Sequence, residues 1–285
     1  MSTTRPPATY SRKDIADAIL SRLDSSTVEE LRNQFASNPV IQWFAVDDLL
    51  PVDMAHTIRR SFPQPGDMRE RKTLREHKHV AAQMDRHDAQ GEEALFAFQE
   101  PQVLAVVAQI TGLRSLTPDP ALYAGGLSLM TRGHFLNPHL DNSHNNDRTL
   151  YRALNLLYYA SPDWTEDSGG HLELWPAGVR GTPITVHSAF NRLVVMTTGP
   201  QSWHSVCAVR SDQARCCVSN YYFSPDPIGG KDYFRVTSFR GRPEQPLRDL
   251  MLRVDGTLRQ AVRKIRPKGL VQTTHIYRRP DGRDR

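Results

Sequence analysis

The chain has 285 residues, of which 39% are hydrophobic and 24% are charged, an ordinary composition for a globular protein with a sizeable core. Its apolar runs fall far short of the roughly 20 residues of a membrane-spanning helix, so we expect no bilayer span. The net charge of +5 comes mainly from the C-terminal part, where aromatic residues do not interleave with the basic ones. This pattern favours a solvated helical face over a nucleic-acid surface. Three cysteines and a polar start without a signal-peptide core predict a cytoplasmic location.

Two short amphipathic helices are predicted in residues 1–36. In "SRKDIADAILSRL" and "SSTVEELRNQF", apolar residues recur every three or four positions, which is the period of a helix with one buried face. We expect Ser11 to cap the first helix. The second is predicted to begin behind Ser26, with Glu29 three residues later completing a capping box.

Residues 37–126 are predicted to form a supporting layer of helices and strands. "VIQWFAV" has the composition of a strand, and "VDMAHTIRRSF" and "PQVLAVVAQITG" have helical spacing. We expect the charged stretch from Arg69 to Glu93 to form part of a lid, together with residues 231–285, a basic C-terminal extension. Within that extension, Leu247 to Arg266 predicts an amphipathic helix interrupted by Gly256.

Residues 127–230 are predicted to form a β-rich core. Short β-forming runs alternate there with Gly, Pro, Asn and Asp clusters: "LSLM", "LNLLYYA", "HLELW", "ITVH", "RLVVMT", "WHSVCAV" and "CCVSNYYF". Evenly spaced short strands indicate a sandwich or jelly roll. The predicted fold class is therefore α+β with a mainly β core, an N-terminal helical layer and a C-terminal helix.

A His-x-Asp pair stands just ahead of the longest β-forming run. Side chains two apart on a strand project from the same face, so His139 and Asp141 can reach one point inside a jelly roll. Alone the pair is a weak signal, and a polar strand end is the favoured explanation for it. An open iron site needs two imidazoles and one carboxylate, and therefore a distant third ligand. The candidates for it are His144, His171, His187 and His204.

His204 is favoured as the third ligand because of the segment that follows it. If the centre of "RSDQ" is a hairpin turn, Arg215 pairs with Ala208. Ala208 is an even number of residues from His204, so the two side chains project from the same face of the strand (the same parity). Arg215 would then face the same interior about 13 Å from His204, at about 3.3 Å per residue. An extended arginine and a five-carbon dicarboxylate can span that gap. A surface arginine beside a turn is the competing interpretation, and Arg210 is the rival for the anion contact.

Several linked motifs resemble those of a known family. "HLD", "LYRALNLLYYASPDW", "GGHLELW", "FNRLVVM" and "WHSV", followed by an arginine and "YYFSP", are similar in order and approximate spacing to the 2-oxoglutarate and iron(II) dependent oxygenases of the prolyl-hydroxylase type. The resemblance runs from about residue 116 to 224. It implies a double-stranded β-helix in which His139, Asp141 and His204 bind iron. It also implies that Arg215 contacts the distal carboxylate of 2-oxoglutarate.

The resemblance extends to two residues of the "LNLLYY" strand. The second tyrosine of this strand commonly contacts the same carboxylate, and here it is Tyr159. Asn155 has the same parity as Tyr159 and can point toward the cosubstrate, although a bond to neighbouring backbone is equally compatible with the sequence. In halogenating relatives a small residue replaces the iron-binding carboxylate, so Asp141 favours hydroxylation or a related oxidation.

The resemblance implies an enzyme that uses Fe(II), 2-oxoglutarate and O2, releases succinate and carbon dioxide, and oxidises an unactivated carbon. A small-molecule substrate, such as an amino acid or a natural-product intermediate, is the favoured interpretation. Prolyl-type hydroxylation of a protein side chain is the alternative. A non-catalytic metal-binding jelly roll is disfavoured, because every expected site residue is present.

Three further polar residues have less specific interpretations. His171, in "SGGHLELW", is expected to serve packing and turn structure, not metal binding. His134 lies in a glycine-containing turn and is expected to be exposed. Arg152 precedes the buried strand; a salt bridge to the aspartate-rich loop is favoured there over contact with an anionic substrate at the mouth of the pocket.

Overall fold

Twelve short strands, all paired antiparallel, form the centre of the computed structural model, which describes residues 7–265 and Tyr277. The sheet curls into a half-barrel with helices at both ends, which confirms the predicted jelly roll. The strands in chain order are β1 (Trp43–Val46), β2 (Arg69–Lys72), β3 (Glu76–Ala81), β4 (Gly126–Met130), β5 (Phe135–Leu140), β6 (Tyr151–Tyr159), β7 (Leu172–Leu174), β8 (Ile184–Val186), β9 (Arg192–Thr197), β10 (His204–Val206), β11 (Arg215–Ser224) and β12 (Ser238–Phe239).

Strand β3 joins the two halves of the curled sheet. The order of hydrogen-bonded strands is β1-β9-β6-β11-β4-β3-β5-β10-β7-β8, with β2 paired to β3 and β12 to β5. Residues 79–81 of β3 pair with β4, whereas Glu76 and His77 pair with β5. The charged stretch from Arg69 to Glu93 therefore contributes a hairpin to the sheet, and its role as a lid stays a prediction. Its many charges concealed a strand whose side chains alternate between the two faces of the sheet.

Among the described residues, six helices accompany the sheet, and the first five pack on the outer face of its larger half. They are α1 (Arg12–Arg22), α2 (Ser25–Ala36), α3 (Val52–Arg60), α4 (Ala89–Ala97), α5 (Pro101–Thr111) and α6 (Pro246–Ile265). The apolar faces of α1, α2, α4 and α5 share one core with β6, β9 and β11. Asn220 of β11 donates to the Leu95 carbonyl of α4 at 3.1 Å, which fixes the helical layer against the strand that carries Arg215. No helix among the described residues is long and apolar enough to cross a bilayer.

The caps of the first two helices follow the sequence only in part. Ser11 caps α1, as predicted. It also forms a capping box with Asp14. The cap of α2 is Asp24, whose carboxylate accepts from the backbone N–H of Thr27 at 2.8 Å. The prediction of Ser26 as the cap was wrong. Ser26 lies inside the first turn, where its hydroxyl donates to the stronger acceptor, the Asp24 carboxylate.

Helix α6 lies beside the opening of the sheet. It runs through Gly256 without a break, so the predicted interruption was wrong. Asp255 accepts from Arg75, beside the β2–β3 hairpin, at 2.5 Å and from Arg259 at 3.0 Å, which ties the helix to the hairpin. The predicted end of the helix at Arg266, and most of the extension beyond it, lie outside the described residues.

His134 is buried, at 5% exposure, so the prediction of an exposed turn was wrong. Its ring stacks on His77 with a centroid distance of 3.7 Å, and His79 lies 5.2 Å away. Burial and the two neighbouring imidazoles lower the pKa of His134 to about 4. A neutral imidazole packs like an aromatic ring there, and the stack covers a turn that the local sequence suggests is open to solvent.

Candidate active site

Two adjacent strands bring the predicted histidines together. His139 on β5 and His204 on β10 are direct cross-strand partners, although 64 intervening residues separate them in the sequence. Asp141 follows the end of β5 and turns back toward both rings. Its carboxylate oxygens lie 3.6 Å from Nε2 of His139 and 3.6 Å from Nε2 of His204. One potential ligand atom from each residue lies within 4.8 Å of the others, and this is the one such triad of His, Cys, Asp or Glu among the described residues.

Backbone carbonyls orient both imidazoles. Nδ1 of His139 lies 3.0 Å from the Asn137 carbonyl, and Nδ1 of His204 lies 2.9 Å from the Ser202 carbonyl. A carbonyl can only accept, so each Nδ1 carries the proton and each Nε2 presents its lone pair to the cavity. The His139 ring also stacks on Phe239 of β12 at 5.0 Å. Both histidines are therefore held in the tautomer and orientation that metal binding requires.

Asp141 is 8% exposed and is surrounded by groups that stabilise its charge. The Asn155 amide donates to Oδ2 at 2.8 Å, and Nη1 of Arg152 lies 3.4 Å from Oδ1. Burial alone would raise the pKa of this carboxyl, but Arg152 and the two histidines hold it well below its usual range. Burial, followed by the neighbouring His204, lowers the pKa of His139 to about 3. An ionised carboxylate beside a neutral imidazole is a suitable donor set for a divalent cation.

The other candidate histidines have different partners. Both ring nitrogens of His171 have hydrogen-bond partners, because Nε2 lies 2.9 Å from the Glu166 carbonyl and Nδ1 accepts from the Ser188 N–H at 3.1 Å. This confirms its packing role. His187 is partly exposed and lies 3.6 Å from the Glu166 carboxylate. His144 lines the cavity, but Nδ1 contacts the Ser143 hydroxyl at 2.7 Å and the ring packs on a tyrosine of β6.

Arg215 faces the same cavity as the triad, but not by the predicted route. The predicted hairpin pairing of Arg215 with Ala208 was wrong, because β11 pairs with β4 and β6, and Arg215 lies opposite Met130. β10 pairs with β5 and β7 instead. The two strands belong to opposite halves of the sheet, so curling of the sheet brings Arg215 and His204 to one interior. The rival Arg210 is exposed and donates to the carbonyls of residues 166 and 167.

Arg215 is buried, at 3% exposure, without an acidic partner among the described residues. Its Nε lies 3.4 Å from the Ser188 hydroxyl, its Nη1 lies 3.7 Å from the Met130 sulfur, and its guanidinium lies 4.9 Å from the centroid of the Tyr159 ring. Burial raises the pKa of Tyr159 to about 12, so its hydroxyl stays protonated. A buried guanidinium with only weak neutral acceptors is suited to an external carboxylate.

A single cavity of about 660 Å³ connects these groups. The triad, Asn155 and Arg215 lie on its wall, and apolar side chains separate them, including Met130, Leu136, Leu157, Leu172 and Val206. The arrangement can hold a cation at the triad and an anion at Arg215, with a dry wall between them. These are the requirements of an iron(II) centre with a chelating dicarboxylate, and the residues fit both groups.

Arg152 is the site residue whose position the sequence did not indicate. It is 2% exposed and contacts Asp141 at the start of the loop between β5 and β6, so the predicted salt bridge to the aspartate-rich loop is confirmed, whereas the predicted location at the mouth was wrong. Arg152 is three positions from Asn155, and regular alternation would direct the two side chains to opposite faces. The pairing of β6 with β11 shifts register between Tyr222 and Phe223, which brings Arg152 onto the cavity wall. The pattern of neighbouring residues in the sequence does not indicate such a shift in strand register.

Comparison with known proteins identifies the domain. Residues 125–223 match the model of the 2OG-Fe(II) oxygenase superfamily. No curated protein is significantly similar to the chain in sequence. A prolyl-4-hydroxylase from Pseudomonas putida is 18% identical with a TM-score of 0.52, over 69% of this chain and 98% of that one. A prolyl 4-hydroxylase from Phytophthora capsici is 16% identical with a TM-score of 0.52, over 91% and 80%.

A third similar structure has a different activity. The non-heme alpha ketoglutarate dependent epimerase SnoN from nogalamycin biosynthesis is 13% identical with a TM-score of 0.50, over 70% of this chain and 84% of that one. At such identities the structures show the shared fold, and the match of the family model to the β core identifies the chemistry. Residues 125–223 form a 2-oxoglutarate and iron(II) dependent oxygenase domain, and the chain is an oxygenase that uses Fe(II), 2-oxoglutarate and O2.

Proposed function

We propose that the enzyme hydroxylates an unactivated carbon of a small molecule, such as an amino acid or a natural-product intermediate. The observation that carries this proposal is the cavity of about 660 Å³, which contains both the triad and a buried arginine without an acidic partner among the described residues. Sites for small ligands typically measure about 300–1,000 Å³. After a five-carbon cosubstrate is bound, the remaining volume suits a metabolite.

In this proposal His139, Asp141 and His204 hold the iron. Their donor atoms face one point, and the carbonyl contacts at Nδ1 of both histidines maintain the tautomer that binds metal. Asn155 orients the Asp141 carboxylate through its hydrogen bond to Oδ2. Asn155 also lines the cavity, so its predicted contact with the cosubstrate stays part of the proposal.

Arg215 binds the distal carboxylate of 2-oxoglutarate in this proposal. The guanidinium offers planar, charge-assisted donors, and the protonated Tyr159 hydroxyl is suited to donate to the same carboxylate. Iron and 2-oxoglutarate, when bound, supply the oxidising chemistry, with succinate and carbon dioxide as coproducts. The chain's own residues position the two groups, and the apolar wall keeps water from the reacting carbon.

Hydroxylation of a protein side chain is the second candidate. Helix α6 carries an exposed apolar stripe whose last member, Leu258, also lines the cavity. The stripe consists of Leu247, Leu250, Met251, Val254 and Leu258. An apolar face that reaches the cavity is suited to a bound peptide.

The predicted cytoplasmic location also remains part of the proposal. Cys207, Cys216 and Cys217 are the three cysteines of the chain, and all are free thiols. Free cysteines are typical of a reducing compartment.

Release of succinate from 2-oxoglutarate, measured across a panel of small metabolites and peptides, tests the substrate class. We expect at least one small metabolite to stimulate release above the basal rate, because the cavity has the volume of a metabolite site. Stimulation by peptides alone would favour the second candidate and contradict the first.

Alanine substitution of His139, Asp141 or His204 should abolish Fe(II)-dependent succinate release without unfolding the protein. The triad is a ligand set on a sheet that an extensive apolar core stabilises, so its loss removes the metal and not the fold. Circular dichroism checks the fold. His187→Ala is the matched control and should keep most of the activity; an inactive His187→Ala beside an active His204→Ala would show that the ligand set is wrong.

Arg215→Ala should weaken 2-oxoglutarate binding by roughly 30-fold to several thousand-fold, because truncating one side of a desolvated charged pair costs about 2–5 kcal/mol. Arg215→Lys should fall between wild type and Ala, since lysine keeps the charge but loses the planar fork. Titration of 2-oxoglutarate into the oxygen-free Fe(II) protein, followed by the metal-to-ligand absorption band, measures both effects.

Arg210→Ala is the matched control for Arg215→Ala, because Arg210 is exposed and donates to backbone carbonyls. Its affinity for 2-oxoglutarate should equal that of wild type. Loss of affinity in Arg210→Ala with normal affinity in Arg215→Ala would show that the carboxylate contact had been assigned to the wrong arginine.

Gly170→Ala should weaken 2-oxoglutarate binding roughly ten-fold or more, because displacement of a positioning group by about 1 Å costs that much. Gly170 has φ +66°, and a Cβ there would lie 2.7 Å from Cδ of Arg215. Gly178→Ala is the control, since Gly178 has φ +74° and no atom within 4 Å of its Cβ position. Both variants should lose stability in urea, but only Gly170→Ala should bind 2-oxoglutarate weakly; equal affinities would mean that Gly170 does not position Arg215.

A further inference from the structure

The exposed apolar side chains of the described residues are concentrated on helix α6. Five of the nine large apolar side chains that are exposed form the apolar stripe of this helix, and the other four are scattered singly over other parts of the chain. The exposed fractions within the stripe run from 54% for Val254 to 78% for Leu247. Single exposed apolar residues are normal, whereas a continuous stripe typically marks an interaction surface.

The opposite side of α6 anchors the helix to its own chain. Leu252 is 2% exposed, and Asp255 pairs with Arg75 beside the β2–β3 hairpin. The Gln260 amide accepts from the backbone N–H of residue 236 and donates to the carbonyl of residue 234, both at 2.9 Å. A rotation that buried the stripe within the chain would break these contacts. The helix is therefore held with its apolar stripe directed outward.

The spacing of the stripe is that of a helix which packs against another helix. Leu247, Met251, Val254 and Leu258 recur in steps of four, three and four residues, the a/d spacing of a heptad, and Leu250 flanks them. The steps read the same in both directions along the helix. A two-fold interface requires such a self-complementary surface, because the same patch is used by both copies. In an antiparallel pair, Leu247 of one copy lies opposite Leu258 of the other, and Met251 lies opposite Val254.

The area of the stripe is sufficient for a weak dimer. A leucine, methionine or valine side chain that is more than half exposed offers on the order of 100 Å² of apolar surface. Two facing stripes of five such side chains therefore bury about 1,000 Å² before the flanking polar residues are counted, which reaches the lower limit for a specific interface. An interface of this size is expected to dissociate in the micromolar range.

The charges along the stripe favour a protein partner over an anionic membrane. Arg248 donates to Gln245 at 3.2 Å, and Arg259 pairs with Asp255 at 3.0 Å. Between the two ends of the stripe, Arg253 is the exposed basic residue. A helix that lies on anionic lipid typically carries several basic residues beside its apolar face. An antiparallel pair also brings the N-terminus of each helix beside the C-terminus of the other, which suits the two helix dipoles.

We propose that two copies of this chain associate through an antiparallel pairing of their α6 helices. Leu258 belongs to the stripe and also lines the active-site cavity, so Leu247 of the second copy lies at the mouth of that cavity. The dimer occupies the surface that a peptide would need in the second candidate function, and it leaves the cavity itself to a small molecule. The pairing does not depend on the identity of the substrate.

Sedimentation velocity of the full-length protein, from about 1 to 100 µM, tests the association. We expect the sedimenting mass to rise from that of a monomer toward that of a dimer over this range. Val254→Arg should stay monomeric throughout, because the substitution buries an unpaired charge at the centre of the interface. Val254 is 54% exposed, so the substitution should not unfold the chain, which circular dichroism checks.

Val52→Arg is the matched control, because Val52 is also a valine on a helix and is 58% exposed. It should associate like wild type. A wild-type protein that remains monomeric over the whole range would overturn the proposal, and so would a Val52→Arg variant that loses the dimer to the same extent as Val254→Arg.

Met251→Lys and Val254→Asp test the antiparallel register. Each variant alone should be monomeric, and an equimolar mixture should recover a heterodimer, because the introduced ammonium and carboxylate then lie opposite each other. In a parallel pair the two charges lie in different layers and the mixture does not recover. A wild-type dimer whose two variants stay monomeric when mixed would therefore contradict the antiparallel pairing.

Co-sedimentation with vesicles of phosphatidylcholine and phosphatidylserine tests the membrane alternative. The wild-type protein should remain in the supernatant. Pelleting of a protein that sediments as a monomer, with loss of pelleting in Val254→Arg but not in Val52→Arg, would assign the stripe to a membrane surface and overturn the dimer.

Discussion

The buried carboxylate of Asp141 is the constraint on which the site depends. An ionised carboxylate removed from water costs several kcal/mol unless it is paired and hydrogen-bonded. The fold meets this requirement from two directions, with the Asn155 amide on one side and the Arg152 guanidinium on another. β6 supplies both groups, so the same long central strand that stabilises the core also holds the charge in place. A metal ion at the triad adds a third compensating partner.

The sequence predicts those parts of the site that depend on local geometry. His139 and Asp141 are two residues apart at the end of one strand, so parity alone brings them to one face. The jelly-roll class follows in the same way from the spacing of short strands and turns. The position of Arg215 was predicted from an incorrect pairing of β10 with β11, and the residue nevertheless faces the cavity. The alternation of side chains shows which residues of one strand share a face. Which strand pairs with which depends on how the whole sheet curls.

The features that the sequence did not indicate are set by long-range contacts. The β2–β3 hairpin is rich in charge, yet β3 joins the halves of the sheet through its backbone pairing with β4 and β5, and Glu76 and Lys78 pair with each other along the cavity wall. His134 is buried because two imidazoles of β3 cover its ring. Arg152 reaches the site through a register shift against β11. Each depends on strand pairings between segments far apart in the sequence, so a window of neighbouring residues cannot predict it.

The two buried arginines of the cavity wall differ in how their charge is compensated. Arg215 has a hydroxyl, a sulfur and an aromatic ring as its described neighbours, and no acidic partner among the described residues. Arg152 contacts Asp141 and offsets the charge of that carboxylate inside the fold. A buried guanidinium without a counter-charge is costly, whereas one that contacts a buried carboxylate compensates it, so the fold itself accounts for the charge of Arg152 but not for that of Arg215.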